Sequence, residues 1–179
     1  MAYISEIKHT IPEVFKTETQ RRIYETLEKS GISWQRVDNS PAITVDECEE
    51  ISERLNAPTV KSLLVANRQL TKFYLVVMPG HKPFVTRDFT AALGVSRVSF
   101  VKPELLMSKL GLVVGSATPL AIVADGDMSI RLVIDRDVLQ RPSMLLPDGT
   151  TECYMNIPTD GFMQSYLPLT GHEAEIVEM

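Results

Sequence analysis

The fold of this chain is restricted most by two apolar runs that lie close together in the sequence. Val60–Ala66 and Phe73–Met78 are rich in β-branched, aromatic and other apolar residues, and a polar stretch around Asn67-Arg-Gln separates them. Two such runs joined by a polar turn predict a β-hairpin, whose strands are antiparallel. We therefore expect a mixed sheet with helices around it, and not a doubly wound parallel sheet.

Helix signals alternate with these strands. Thr17-Glu-Thr-Gln20 and Thr44-Val-Asp-Glu47 have capping-box spacing, and Pro103 stands where a first-turn proline is favoured. Helices are predicted over residues 18–30, 45–56, 86–93, 103–110 and 159–166, and strands over residues 32–37, 97–100 and 154–157. The last ten residues are expected to be frayed.

Asp125-Gly126 is the strongest short hairpin signal in the chain. It predicts that Leu120–Ala124 and Ile130–Asp135 are paired strands. No internal repeat and no domain boundary occurs, so we expect one α/β (α+β mixed) domain over residues 1–179.

Composition excludes several classes of protein. With 179 residues, of which 44% are hydrophobic and 23% charged, the chain resembles neither a disordered nor a fibrous protein. Its apolar runs are far shorter than the roughly 20 residues that cross a bilayer. No signal peptide is recognisable, so a cytoplasmic protein without a membrane partner is expected.

Charge is distributed unevenly along the chain. Residues 60–110 contain eight basic and two acidic residues, whereas the rest contains ten basic and twenty-one acidic residues. A basic middle on an acidic protein suits a local anionic ligand better than long duplex DNA. A solvated lysine-rich face explains the same pattern.

Metal and nucleophile signatures are missing. Cys48 and Cys153 stand far apart without metal-ligand spacing, so a zinc site is unsupported and both are expected to be reduced and partly buried. The sequence contains no GxSxG elbow and no HExxH motif. The aspartates near the predicted hairpin are interpreted as turn and surface residues: Asp125, Asp127, Asp135 and Asp137.

Lys61 is unusual because it lies within a strand whose other residues have the bias of a buried strand. Burying an ammonium group is costly, so the side chain either snorkels to the surface of an edge strand or faces a ligand. A second notable stretch is the loop from Gly115 to Pro119, where small residues allow close approach to the backbone. By itself this loop is a weak signal and is better explained as a plain tight turn, since glycines mark turns far more often than sites.

Five stretches together resemble the YbaK/prolyl-tRNA synthetase-associated editing domain family over residues 17–168. The stretches are Pro58–Val65, Phe73–Gly80, Ala92–Phe100, Pro103–Leu106 and Leu110–Pro119. The lysine on its strand and the GxxxP loop are the specific elements of the resemblance. It implies a barrel-like, mostly antiparallel sheet ringed by helices, and an enzyme that hydrolyses the ester of a misacylated tRNA.

The resemblance also implies which residues act. Lys61 and Gly115 are the expected catalytic residues. The expected substrate-binding residues are Ser62, Ser116, Ala117, Thr118 and Pro119. Lys61 is expected to hold the phosphate of the terminal adenosine, while amides of Gly115 and Ser116 contact the ester. An activated ester needs no metal and no cofactor, and the expected partners are the tRNA acceptor end and a synthetase.

One departure from the family pattern concerns the amino-acid specificity. Relatives carry a His-Pro pair where this chain has Leu146-Pro147. The missing histidine leaves two readings open: a hydrolase with a different amino-acid pocket, or a binding module of the same fold that recognises aminoacyl-tRNA ends without turnover.

Overall fold

The fold is organised around two β-sheets. The computed structural model describes residues 2–179. The strands in this range are β1 (Gln35–Asp38), β2 (Val60–Asn67), β3 (Phe73–Pro79), β4 (Val98–Phe100), β5 (Ile130–Asp135), β6 (Ser143–Pro147), β7 (Cys153–Pro158) and β8 (Ala174–Val177).

The larger sheet has five strands in the order β4-β2-β3-β5-β8, and the smaller has three in the order β1-β7-β6. Pairing is antiparallel except at β3–β5 and β5–β8. A parallel bridge between Thr59 and Leu145 joins the two sheets. The prediction of a mixed, mostly antiparallel α/β fold is confirmed, and the β2–β3 hairpin forms as expected.

Helices surround these sheets. They are α1 (Glu18–Ser30), α2 (Glu49–Leu55), α3 (Thr86–Leu93), α4 (Pro103–Leu110), α5 (Arg136–Leu139), α6 (Thr159–Gly161) and α7 (Leu167–Thr170). Short 3-10 helices occupy Asp46–Cys48 and Pro119–Ala124, and a π-helical turn occupies Phe162–Tyr166. None of the helices within residues 2–179 is long and apolar enough to cross a membrane.

Both predicted capping boxes set helix starts. The Thr17 hydroxyl accepts a hydrogen bond of 3.0 Å from the Gln20 N–H. The Thr44 hydroxyl accepts one of 3.2 Å from the Glu47 N–H, and the Glu47 carboxylate accepts from the Thr44 N–H in return. Reciprocal bonds of this kind satisfy N–H groups that have no partner inside the helix. Local sequence therefore predicted these two helix starts.

The strand predicted at Leu120–Ala124 is wrong. Pro119–Ala124 is a 3-10 helix, because proline cannot donate to a strand ladder and the Thr118 hydroxyl caps the first turn at 3.3 Å. The Asp125-Gly126 hairpin is consequently wrong too. The Asp125 carboxylate accepts hydrogen bonds from the loop after it, and β5 pairs in parallel with β3.

The structure also contains two strands that were not predicted. β6 lies beside β7, and β8 extends the large sheet beside β5. The expectation of a frayed C-terminus is therefore wrong, because residues 174–177 pair with β5 and Arg131 contacts Glu175.

The main core lies between the sheets and α1. Ile23, Leu75, Met155 and Phe162 are completely buried there, together with side chains from the 3-10 helix after Pro119. This packing holds the loop that ends at Pro119 in place against β2.

Candidate active site

The candidate site is a pocket of about 320 Å³ beside the first half of β2. β4 pairs only with Val65–Asn67, so no strand covers that edge of β2 from Val60 to Leu63. The pocket fills the uncovered edge. Its walls are residues 59–63, the segment 43–45 with Cys48, the loop residues Val114, Gly115 and Ala117, and Pro147 with Tyr154.

Lys61 lines this pocket and is half-buried. Partial burial lowers the pKa of its ammonium group below the ordinary value, because desolvation disfavours the charged form. No hydrogen bond or ion pair within residues 2–179 involves the Lys61 side chain. A half-buried cation without a counter-charge is a strong attractor for an anionic ligand.

Gly115 lines the pocket across from β2 and has a φ of +90°. A Cβ atom placed there would come within 2.6 Å of Ile43 Cγ2. Both the backbone conformation and the close approach of Ile43 therefore require glycine. The Gly115 N–H makes no hydrogen bond within residues 2–179.

Three of the predicted substrate-binding residues shape the loop from behind. Ser116 is fully buried, its hydroxyl donates to the Val113 carbonyl at 2.7 Å, and its N–H donates to the same carbonyl at 3.1 Å. Thr118 and Pro119 are buried at the start of the 3-10 helix. None of the three lines the pocket: the hydroxyls of Ser116 and Thr118 hold the turn, and Pro119 is buried at the start of the helix.

Ser62 and Ala117, the other two predicted substrate-binding residues, line the pocket. The Ser62 hydroxyl oxygen is buried and has no hydrogen-bond partner in the structure. A buried hydroxyl without a partner costs free energy, and this oxygen is closed off from the open pocket, so Ser62 contributes to the wall by its position and not by a polar contact.

Sequence reasoning missed the wall formed by Ile43, Thr44 and Val45. The Tyr154 hydroxyl donates a hydrogen bond of 2.9 Å to the Ala42 carbonyl and thereby positions this segment. The only sequence signal there was the capping box at Thr44, which gives a helix start and says nothing of a pocket.

Leu146 does not line the pocket. It is completely buried in the main core, whereas the neighbouring Pro147 faces the pocket, since successive strand residues point to opposite sides. Position 146 therefore belongs to the core and not to the pocket wall, so Leu146 adds no apolar side chain to that wall.

The pocket lining does not contain the pair of a nucleophile and a histidine base. Burial raises the pKa of the Cys48 thiol, so this thiol stays protonated. No histidine lines the pocket, and no cluster of three metal-ligating side chains occurs within residues 2–179. The pocket lining contains the Lys61 ammonium group and the Gly115 N–H, which can hold an anion and orient a carbonyl group.

Comparison with known proteins supports an editing fold. The aminoacyl-tRNA editing domain family matches residues 39–164. Prolyl-tRNA synthetase associated domain-containing protein 1 of Danio rerio is 23% identical over 125 residues, covering 70% of this chain and 67% of the relative. The prolyl-tRNA editing protein ProX of Acetoanaerobium sticklandii is 21% identical over 124 residues, covering 69% and 76%.

Solved structures agree with the sequence relatives. The crystal structure of a proposed trans-editing enzyme for prolyl tRNA synthetase matches with a TM-score of 0.67 at 20% identity, covering 92% of this chain and 99% of the other. At this identity the likeness shows the fold. Since the family match spans more than half of the sequence, this chain belongs to the aminoacyl-tRNA editing domain family.

Proposed function

We propose that this chain is a trans-editing deacylase that hydrolyses the ester bond of a misacylated tRNA. The proposed substrate carries a small amino acid, such as alanine or cysteine on the proline tRNA, or is a related mischarged tRNA. The observation that carries the proposal is that Lys61, a half-buried cation without a counter-charge, shares one pocket with Gly115.

Lys61 binds the phosphate of the terminal adenosine in this proposal. A charge-assisted hydrogen bond from the ammonium to a phosphate oxygen is stronger than a neutral one, and it would offset the cost of the cation's partial burial. The contact fixes the acceptor end so that the ester lies against the glycine loop. Lys61 thus acts by positioning the substrate and not by proton transfer.

The Gly115 N–H contacts the carbonyl oxygen of the ester. This N–H has no partner within the described residues, and it is held in place by the buried turn at Ser116. A fixed donor stabilises the oxyanion that develops on that oxygen. The Ser116 N–H already donates to Val113, so of the two amides expected from the resemblance only that of Gly115 is free to contact the ester.

The reaction itself needs only water. A water oxygen attacks the carbonyl carbon, the bond from that carbon to the ribose oxygen breaks, and a proton from the water passes to the leaving ribose oxygen. The products are the free amino acid and the uncharged tRNA. The resemblance implies that the free hydroxyl of the terminal ribose helps to activate the water.

The wall formed by Ile43, Val45 and Pro147 favours a small side chain on the substrate. The whole pocket, about 320 Å³, also has to receive the ester and part of the adenosine. An apolar wall discriminates by only about 1–3 kcal/mol per methylene, so several small amino acids are expected to be released at different rates.

The partners that fit this function are the acceptor end of aminoacyl-tRNA and the synthetase that produces the mischarged tRNA. Both belong to translation, so the proposed location is the cytoplasm.

The decisive experiment measures release of free amino acid from alanyl-, cysteinyl-, seryl- and threonyl-tRNAs on several tRNA bodies. We expect release from at least one, and a loss of about a hundredfold for Lys61→Ala, since misplacement of a substrate by about 1 Å costs that much. Lys29→Ala, an exposed lysine on α1, is the matched control. Tight binding with no release across the whole panel would instead show a non-catalytic binding module.

A further inference from the structure

The strand β4 leads away from the pocket along the outer edge of the large sheet. Phe100 is paired with Val65 and Val98 with Asn67. The Val101 N–H donates to the Leu64 carbonyl at 3.1 Å, so the next residue, Lys102, stands opposite Leu63, which lines the pocket. Phe100 lies two residues further along the strand, or about 7 Å from that point.

Phe100 is unusually exposed for an aromatic residue in a strand. Its ring packs on Phe84 with centroids 5.8 Å apart, yet the residue remains 63% exposed. A single exposed apolar residue needs no explanation by itself. Its neighbours on β4 make it informative.

Three exposed cations accompany Phe100, and none has a partner. Lys102 and Arg97 flank β4, and Arg68 follows Asn67, the residue paired with Val98. None of these three side chains forms an ion pair or hydrogen bond within residues 2–179. Lys102 also stands at the N-terminal end of α4, where the helix dipole disfavours a cation, so helix stability does not account for it.

We propose that β4 binds the unpaired 3′ nucleotides of the tRNA that precede the terminal adenosine. One base stacks on the exposed face of Phe100, and Lys102 and Arg97 contact the phosphates on either side. The proposal rests on the proposed function, because the terminal adenosine must occupy the pocket for the tail to lie along β4.

Single-stranded nucleic acid fits this surface for two physical reasons. An unstacked base offers a flat face to an aromatic ring, whereas the bases of a duplex are already stacked on each other. Phosphates complement a row of cations, and the contact releases counterions. The strand edge starts at the pocket and not at a remote site, so one continuous tail can reach both.

The main experiment compares Phe100→Leu, which keeps apolar bulk, with Phe100→Trp, which keeps a stacking face. Loss of base stacking corresponds to roughly 5- to 150-fold in binding. We expect Phe100→Leu to raise KM for mischarged tRNA by that factor with little change in kcat. Phe100→Trp should keep the wild-type KM. Leu169→Ala, another exposed apolar residue, is the matched control.

A second substrate distinguishes the loss of base stacking from a general loss of deacylation activity. A 3′-aminoacyl-adenosine lacks the preceding nucleotides that the proposal places on Phe100, so the loss in Phe100→Leu should be confined to substrates that contain the tail. An equal loss on both substrates, or no loss on tRNA, would overturn the proposal. Thermal unfolding of each variant shows whether a loss of activity comes from misfolding. If Phe100→Leu misfolds, Phe100→Trp still tests the proposal.

Direct binding keeps this proposal distinguishable from the proposed function. We expect uncharged single-stranded RNA to bind better than a blunt duplex, with a dependence on Phe100, even if wild-type protein releases no amino acid. Lys102→Ala and Arg97→Ala should each lower the slope of log K against log salt by about 0.7, while Lys29→Ala leaves it unchanged. Self-association that is lost in Phe100→Leu, with RNA affinity unchanged, would show that β4 is a contact between copies of the chain.

Discussion

The two outer edges of the five-stranded sheet differ in whether their charged side chains are paired. At the β5–β8 edge, Arg131 contacts Glu175 through hydrogen bonds of 2.6 and 2.8 Å. In the loops before these two strands, the buried Asp125 carboxylate lies 2.9 Å from His172 Nε2. Sequence interpretation had placed Asp125 at the surface, but the structure buries it and satisfies it with hydrogen bonds.

At the β2–β4 edge the cations Lys61, Arg97 and Lys102 have no acidic partner within residues 2–179. Unlike the β5–β8 edge, this edge carries cations that are left unpaired among residues 2–179, and the proposed function assigns them to tRNA. Paired groups on one side of a sheet and unpaired groups on the other distinguish a structural surface from a binding surface. Substitutions should therefore affect stability at one edge and activity at the other.

The largest loss of stability is expected for Asp125→Ala. Its carboxylate accepts hydrogen bonds from Ser129 and Ile130 and contacts His172, so removing it leaves buried donors without acceptors. We expect the free energy of unfolding in denaturant to fall by about 3 kcal/mol or more. Deacylation per folded molecule should not change. Asp127→Ala, in the same loop but exposed, is the control, and an equal loss in both variants would contradict the distinction between the two edges.

Gly115→Ala should affect both stability and activity. A Cβ at φ +90° is strained and would displace Ile43 from the pocket wall, which should cost about 1–3 kcal/mol and most of the deacylation rate. Gly94→Ala is the matched control, because Gly94 also has a positive φ but nothing lies within 4 Å of its Cβ position. Denaturant unfolding and initial deacylation rates are measured for both variants. Equal losses in Gly115→Ala and Gly94→Ala would show that the contact with Ile43 has no effect.

Lys61→Met should change activity and stability in opposite directions. The substitution removes a half-buried cation that has no partner, so we expect the free energy of unfolding to stay constant or to rise by up to about 1 kcal/mol. Deacylation should fall by about a hundredfold, as for Lys61→Ala. A clear loss of stability would mean that Lys61 has a structural partner. It would contradict the distinction between a structural edge and a binding edge of the sheet.

The difference in stability between wild type and Lys61→Met should depend on pH in a definite direction. Burial lowers the pKa of Lys61 in the folded protein, so the folded state binds fewer protons than the unfolded state between that lowered pKa and about 10.4. The stability deficit of wild type against Lys61→Met is therefore present at neutral pH and disappears as the pH rises through this window. Affinity for tRNA should decline over the same window, because the ammonium charge is lost.

Lys61→Arg is the control for the binding part of this titration. A guanidinium stays charged throughout the window, so whatever affinity this variant retains should not decline with pH. Paired unfolding curves and tRNA titrations at several pH values provide the measurement. Parallel declines in the Lys and Arg proteins would assign the effect to another group.

The smallest effect is expected for Arg131→Ala. Its pair with Glu175 is well formed but solvent-exposed, so we expect a loss of at most about 1 kcal/mol, smaller still in high salt, and no change in deacylation. Unfolding at two ionic strengths tests this. A change in tRNA affinity would show that the β5–β8 edge also takes part in binding.

Local signals predicted the elements whose ends are decided by neighbouring residues. Thr17 and Thr44 cap helices, Gly31 and Gly94 end helices in the left-handed conformation, and Pro103 starts α4. Each of these effects acts within a few residues of chain, so the sequence contains the complete physical cause.

Local signals failed where the partner is distant in the chain. Leu120–Ala124 has the composition of a strand, but its neighbour Pro119 and its burial against α1 favour a 3-10 helix. β8 forms because β5 offers it an open edge, which the terminal residues alone do not indicate. Tertiary packing contributes in both places, since the 3-10 helix is buried in the main core and β8 needs the edge of β5.

The residues of the candidate site divide in the same way, into those that local sequence indicates and those that only packing determines. Lys61 in its strand and the Gly115–Pro119 loop could be singled out from the sequence, because each breaks the pattern around it. Which loop residues reach the ligand, and which merely hold the turn, depended on packing: Gly115 faces the pocket, while Ser116 and Thr118 are turned inward. The wall at Ile43 and the floor at Tyr154 come from segments more than a hundred residues apart, which the hydrogen bond from Tyr154 to Ala42 brings together. A pocket is a property of surfaces that meet, so composition and spacing along the chain can indicate its chemistry, but only the packed core decides its shape.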